Sequence, residues 1–282
     1  MKYFTKEWYQ LMQKTGFDVL LRASDKAQIF SEEYFKYLYK KKEREWLKLQ
    51  KEVSEVSFDD IYPEQCDIDT DGLDLSVVAL EKILKAYNEE RTNALNNWVP
   101  FIYDETVEKN NFSSALKYNT KDLMKHLPAE ILSQIADIRV FALNVASHDV
   151  KKNVSEYCKN NMQIVDKTIK DYNLYFTKYL KTNKNPFARK FSFHDSKVVS
   201  ARSKGNDFIF ILTLDDFLKQ TCKIIFKNYK IKYNDSSLAN SWWLYEEIYN
   251  IEGGYEIHVL FEKNSKLKEL TLTAEDVIIN FG

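Results

Sequence analysis

An acidic segment in the first third of the chain has the residue types that bind a divalent cation. It contains Asp67-Ile68-Asp69-Thr70-Asp71-Gly72, and alternating carboxylates before a glycine supply the first oxygens of an EF-hand calcium loop. The twelfth position, where the loop needs a bidentate Glu, is Val78 instead. The sequence therefore favours a solvated acidic loop, and it leaves weak Ca²⁺ or Mg²⁺ binding at Asp67, Asp69 and Asp71 as an alternative.

Aromatic side chains concentrate in the segment Trp242-Trp243-Leu244-Tyr245-Glu246-Glu247-Ile248-Tyr249. Its two carboxylates are adjacent, so they cannot both flank one glycosidic bond as a hydrolase pair must. Amphipathic rings are typical of stacking platforms and protein-binding patches. The candidate binding residues are Trp242, Trp243, Tyr245 and, on the next predicted strand, Tyr255. The alternative is that these rings fill the core between sheet and helices.

A charged pair, Asp137 and Arg139, interrupts an otherwise apolar stretch. Such charges need partners or water, because an unpaired buried charge is costly. Arg139 is therefore a candidate ligand-binding residue, although an Arg that ties two helices together is the favoured interpretation.

Histidine spacing gives little support for a metal centre or a catalytic centre. The chain has four histidines without ligand spacing: His126, His148, His194 and His258. His194-Asp195-Ser196 does not make a triad, since adjacent residues on an extended chain face opposite ways. An enzyme would need Arg139, His194, His258 or Glu246 to converge in one cleft. The sequence leans against catalysis and leaves this as an alternative.

Helical periodicity dominates the first 185 residues. Thr5 and Ser31 are predicted N-caps of the first two helices. Apolar residues between Pro128 and Val145 predict one central core helix, and the three-to-four repeat over 147–180 predicts one long helix.

After Pro186 the period changes to two, which predicts strands. Hairpin turns are expected at 204–207 and at Gly253-Gly254. The predicted strands are 197–203, 208–214, 221–233, 242–251, 255–262, 267–273 and 277–280. We therefore predict an α+β fold, with an N-terminal helical bundle over 1–185 and a small antiparallel β-sheet domain over 186–282 packed on it.

The amino-acid composition limits which cellular compartment and which binding partners the sequence favours. The 282 residues are 44% hydrophobic and 29% charged, and 41 basic residues against 42 acidic ones leave a net charge of -1. Only six of the basic residues are Arg, and this scarcity argues against a nucleic-acid partner. No secretory signal, no apolar run of membrane-spanning length and no Cys-x-x-Cys pair is found. We expect a soluble, cytoplasmic protein with no membrane partner; its oligomeric state is not predicted.

Several segments resemble a bacterial family known only as a domain of unknown function. They are residues 2–9, residues 30–35, and the run Leu127-Pro128-Ala129-Glu130-Ile131-Leu132 leading into residues 136–143. Asn144 stands where relatives tend to carry Gly. The resemblance implies one shared architecture, and it brings no activity, substrate or catalytic residue.

The function favoured by the sequence is that of a non-catalytic binding or protein-interaction protein. It would engage a protein or a small ligand through the sheet face or through a groove between helix and sheet. No cofactor is expected, apart from the alternative of a weakly bound Ca²⁺ or Mg²⁺.

Overall fold

A computed structural model describes residues 1–64, 77–180, 187–215, 220–235 and 237–281. Within these ranges the α-helices are α1 (Lys6–Met12), α2 (Glu32–Glu55), α3 (Phe58–Ile61), α4 (Val77–Asn97), α5 (Glu105–His126), α6 (Ala129–Leu132), α7 (Ile138–Ala142) and α8 (His148–Tyr179). Two short 3₁₀ helices span Asp25–Ala27 and Ala188–Lys190. None of these described helices is both long enough and apolar enough to cross a membrane.

Strands dominate the C-terminal part. A short parallel pair joins β1 (Arg22–Ala23) to β2 (Val145–Ala146). The remaining strands are β3 (Ser196–Lys204), β4 (Asp207–Asp215), β5 (Gln220–Lys227), β6 (Lys230–Asn234), β7 (Trp242–Ile251), β8 (Gly254–Lys263), β9 (Lys266–Ala274) and β10 (Asp276–Phe281). They form one antiparallel sheet of order β10-β5-β4-β3-β7-β8-β9-β6. The predicted α+β class is confirmed, and the sheet, at eight strands, is larger than expected.

The chain divides into two compact units. One is Gly16–Cys158; the other combines Met1–Thr15 with Lys159–Gly282, so that α8 contributes residues to both. We call the second the sheet unit. The boundary predicted between residues 185 and 186 falls in a segment, 181–186, that lies outside the described residues, and it stays a prediction.

Helices α1 and α2 begin at the two N-cap residues that the sequence predicted, Thr5 and Ser31. Thr5 Oγ1 accepts a hydrogen bond from the backbone of Trp8 at 3.2 Å, and Ser31 Oγ accepts one from Tyr34 at 3.2 Å. Glu32 and Glu33 occupy the first turn of α2, where the helix dipole favours negative charge.

The single core helix predicted between Pro128 and Val145 is wrong. Asp137 adopts an extended conformation and its Oδ1 accepts from the backbone N–H of Arg139 at 2.9 Å, which makes it the N-cap of α7. Asn144 then takes a φ of 64°, which ends helical geometry before β2. Capping side chains therefore divide an apolar stretch that periodicity alone reads as one helix.

The antiparallel sheet closes on itself. Only residues 228–229 separate β5 from β6, and Glu275 alone separates β9 from β10. Because β5 pairs with β10 and β6 pairs with β9, these segments behave as two long bent strands paired along their length. The interior is filled by fully buried side chains, the largest of which are Trp243, Phe193, Phe210, Phe226 and Phe261.

Candidate functional site

The closed sheet has one incomplete seam, between β3 and β7. These strands pair only at Ser196 with Trp243 and at Lys197 with Trp242. Beyond Trp243 the edge of β7 has no strand partner within the described sheet. Its backbone groups need other partners, because a buried N–H without one is costly.

Helix α8 supplies those partners. Tyr172 Oη accepts a hydrogen bond from the backbone N–H of Ile248 at 3.0 Å. Tyr175 bonds with the backbone of Asn250, and the Asn250 side chain donates to the Tyr179 carbonyl at 2.8 Å. The C-terminal part of α8 therefore takes the place of a strand along this edge.

A cavity of about 530 Å³ lies at this seam, and we call it the seam cavity. It is entirely within the sheet unit. Its lining residues are Tyr172, Asn173, Phe176, Thr177, Ala188, Phe191, Ser192 and Glu246. Three polar residues of this lining are exposed: Asn173, Thr177 and Ser192. Tyr172, Ala188 and Phe191 are buried. The cavity thus combines a polar rim, aromatic walls and one carboxyl group.

A β-bulge turns that carboxyl group toward the interior. The register of β7 on β8 shifts between Trp243 and Tyr245, so that Trp243 lies opposite Phe261 and Glu246 lies opposite Val259. Both opposing residues belong to the interior core. Glu246 therefore shares the inner face with Trp243, although the two are three residues apart.

The Glu246 carboxyl has neutral hydrogen-bond partners. Trp243 Nε1 donates to Glu246 Oε2 at 2.6 Å, and the backbone of Phe193 also bonds to this carboxyl. Burial raises the pKa of Glu246 to about 7, because desolvation outweighs these two bonds. Among the residues that the structure describes, no basic side chain forms an ion pair with Glu246. A carboxyl with a pKa near neutrality and no counter-ion is typical of a functional site.

The indole of Trp243 should report the protonation of Glu246. We expect one of the five tryptophan indole N–H resonances to shift with a midpoint at about pH 7. The folded-state pKa exceeds the ordinary value of 4.5, so the folded chain holds the proton between these values. The unfolding free energy should consequently fall as pH rises through this window, by up to about 3 kcal/mol. NMR and denaturation as a function of pH measure both effects.

The variant Glu246→Gln is the control for this titration. An amide oxygen can still accept from the Trp243 indole, but it does not ionise. The indole shift and the fall in stability should both disappear in this variant. A midpoint that persists in Glu246→Gln would assign the titration to another group.

The outer face of the same strands carries a different carboxylate. Glu247 is fully buried, and its oxygens accept from the backbone N–H groups of Lys2, Tyr3 and Phe4 at 2.6–2.8 Å. Tyr249 Oη donates to it at 2.6 Å. Glu247 therefore anchors the N-terminal segment, and its acceptor sites are occupied by protein groups.

The four aromatic candidates from sequence occupy separate environments. Trp243 is completely buried, so its ring cannot stack on a ligand at the surface, whereas Trp242 is 45% exposed. Tyr245 packs against Phe4, Trp8 and Tyr9 of the N-terminal segment on the outer face. The ring of Tyr255 lies 4.7 Å from that of Phe187. None of the four lines the seam cavity.

Arg139 lies in the other unit, Gly16–Cys158. Its guanidinium bonds Asp137 at 2.8 Å and Glu32 of α2 at 2.8 Å, and these bonds raise its pKa. The ring of Phe35 lies 4.1 Å from it. These contacts join α7 to α2, which agrees with the helix-tying interpretation.

The residues that an enzyme would need are dispersed. His194 bonds to the Leu244 carbonyl and packs on Tyr245, while His258 pairs with Glu256 at 2.8 Å on the outer face. Glu246 faces the interior instead. Asp67, Asp69 and Asp71 lie outside the described residues, so the cation alternative stays a prediction. Among the described residues no group of three or more His, Cys, Asp or Glu is arranged to hold a metal ion.

Sequence reasoning missed most of the lining of the cavity. Tyr172 and Phe176 lie in the long helix predicted over 147–180 but are not singled out as site residues. Glu246 is considered as one of two adjacent carboxylates and as one of the residues that an enzyme would need. The sequence does show an acidic residue, Glu246, among aromatic residues of one predicted strand. Which face of the sheet its side chain occupies depends on the bulge in β7.

Together these features define an α+β protein with a closed antiparallel sheet and, at its seam, a cavity whose described lining combines aromatic rings with the carboxyl group of Glu246. The chain belongs to the family described as "Protein of unknown function (DUF4085)", whose model matches residues 94–274. The predicted membership in a family of unknown function is therefore confirmed. No curated protein and no solved structure shows significant similarity to the chain.

Proposed function

We propose that the protein is a non-catalytic binding protein and that the seam cavity is its ligand site. The observation that carries the proposal is Glu246, a carboxyl of raised pKa that faces a cavity of about 530 Å³ between helix and sheet. Sites for small molecules commonly enclose about 300–1,000 Å³ and combine apolar walls with a few polar groups. This location supports the helix–sheet groove that the sequence favoured.

A second cavity, of about 600 Å³, is a weaker candidate. It belongs to the Gly16–Cys158 unit and includes Lys42, Glu45 and Asn119 in its lining. Lys42 and Glu45 pair with each other at 2.8 Å, and Asn119 donates to the Ala142 carbonyl. These three polar side chains are thus engaged within the protein, whereas the described partners of Glu246 leave it acceptor capacity toward its cavity.

The chemistry of the seam cavity supports binding over catalysis. Beside Glu246, the one titratable side chain in the described lining is Tyr172, whose pKa is raised by burial. A group that ionises far above neutral pH is a poor partner for acid–base catalysis.

Free thiols support our proposal of a reducing, cytoplasmic compartment. Cys158 and Cys222 are unpaired and buried, and desolvation raises the pKa of Cys222 to about 11. Buried thiols of this kind are unreactive and are typical of proteins kept reduced.

The resemblance to a bacterial family supports a bacterial source.

Blocking the rim of the cavity should weaken the binding of small molecules. Thr177 is exposed on α8 and lines the cavity, so the indole of Thr177→Trp would occupy the entrance. We expect aromatic fragments to perturb the Trp243 indole resonance, and Thr177→Trp to weaken their binding by about tenfold or more. Protein-observed NMR titration measures this effect.

Leu174→Trp is the matched control. Leu174 is 61% exposed on the same helix and does not line the cavity. It should bind fragments as the unaltered chain does. Equal affinity in both tryptophan variants, or the absence of any fragment that perturbs residues lining the cavity, would contradict the proposed function.

A further inference from the structure

We propose that the ligand of the seam cavity is a small organic cation, an ammonium group held by the Glu246 carboxylate and enclosed by the rings of Tyr172, Phe176 and Phe191. This inference rests on the proposed function and assigns the chemical class of the ligand. It follows from the charge, the free acceptor sites and the walls of the cavity.

The ionised Glu246 carboxylate is negatively charged, and its described hydrogen-bond donors occupy only part of its acceptor positions. A carboxylate has about four acceptor positions. Trp243 Nε1 and the backbone of Phe193 occupy two of them, and both donors are neutral. Burying a carboxylate without a counter-ion is costly, so a cationic ligand gains both the ion pair and the vacant acceptor sites.

The walls favour a cation that is organic. Three of the lining residues are aromatic, and the negative face of an aromatic ring attracts ammonium groups within about 6 Å. The hydrogen bond from Ile248 to Tyr172 Oη fixes the position of one ring. Ca²⁺ takes six to eight oxygen ligands, usually with several carboxylates among them, whereas the described lining offers one carboxylate and otherwise neutral oxygens.

The titratable groups around Glu246 do not compete for this role. Tyr172 faces it from α8 and Tyr245 neighbours it on β7, and burial raises the pKa of both phenols. Glu247 points to the opposite face, where four protein donors hold it. Across the sheet, β8 presents apolar Val259. At pH values above the pKa of Glu246, the charge that the described lining offers to a ligand is therefore that of Glu246.

A pair of probes that differ in charge tests the inference. Phenethylamine and 2-phenylethanol have nearly the same size, and only the amine is cationic at about pH 8. We expect the amine to bind at least about tenfold more tightly, as measured by calorimetry and by the Trp243 indole resonance. Glu246→Gln should remove this preference. Glu252→Gln removes a carboxylate from the exposed turn after β7 and should keep it.

The outcomes separate this inference from the proposed function. If the two probes bind equally and Glu246→Gln has no effect, while Thr177→Trp still blocks them, the cavity is a ligand site but the cationic class is wrong. If neither probe nor any neutral fragment perturbs the residues of the cavity, both proposals fail. A preference for the amine that survives in Glu246→Gln would place the cation elsewhere.

Discussion

Replacing Trp243 with alanine should lower the free energy of unfolding by about 4 kcal/mol, the range seen when a large aromatic leaves a cavity in a core. Trp243 has no exposed surface. Four phenylalanine rings surround its indole with ring centroids 5.2–5.9 Å away: Phe191, Phe193, Phe210 and Phe261. They come from two strands and from the segment before β3, so the deletion leaves a void that no single element can fill. The Trp243→Ala variant also loses the indole donor to Glu246.

The adjacent tryptophan provides the control. Trp242 is 45% exposed, and Trp242→Ala should cost less than about 1 kcal/mol. Urea denaturation followed by circular dichroism measures the free energy of unfolding of both variants under the same conditions. Similar losses in both would show that Trp243 does not centre the core of the sheet unit.

This contrast shows what periodicity could predict about β7. The alternation of apolar and polar residues indicates a strand at 242–251, and the structure places β7 at Trp242–Ile251. Alternation alone puts Trp243, Tyr245 and Glu247 on one face. The bulge before Tyr245 breaks that relation and sends Trp243 inward with Glu246. Bulges depend on pairing with a neighbouring strand, so a single sequence does not locate them.

The seam cavity could not be predicted for a related reason. Two of its lining residues, Tyr172 on α8 and Glu246 on β7, are 74 residues apart in the chain. The three-to-four repeat over 147–180 predicts the long helix on which Tyr172 is buried. It does not show that a strand edge would lack a neighbour at that point, because this follows from how the whole sheet closes.

Arg139 illustrates the same limit at shorter range. Its proximity to Asp137 is visible in the sequence, and a capping Asp explains both that pair and the start of α7. The second partner, Glu32, is 107 residues away and is positioned by the packing of α2. The charged pair was therefore predictable from sequence, whereas the capping role of Asp137 and the tertiary partner Glu32 were not.

Replacing Glu247 with glutamine should lower the unfolding free energy by about 3 kcal/mol and release the N-terminal segment. The carboxylate accepts from the backbones of Lys2, Tyr3 and Phe4 and from the Tyr249 hydroxyl. Successive backbone N–H groups that converge on one anion form a strong site. Glutamine keeps one acceptor oxygen, and its NH₂ group would face two of these donors. Buried donors left without acceptors lose their hydrogen bonds without regaining water.

Hydrogen exchange provides a readout specific to this anchor. The amides of Tyr3 and Phe4 should exchange at least about tenfold faster in Glu247→Gln, while amides in the β8–β9 pairing change only with global stability. Glu246→Gln is the isosteric control one residue away. At about pH 8 it should not destabilise the chain, since it removes a buried charge that has no counter-ion among the described residues. Adjacent glutamates would then have opposite effects because the bulge places them on opposite faces. Continued protection of Tyr3 and Phe4 in Glu247→Gln would show that packing of the aromatic side chains, and not the carboxylate, holds the N-terminal segment.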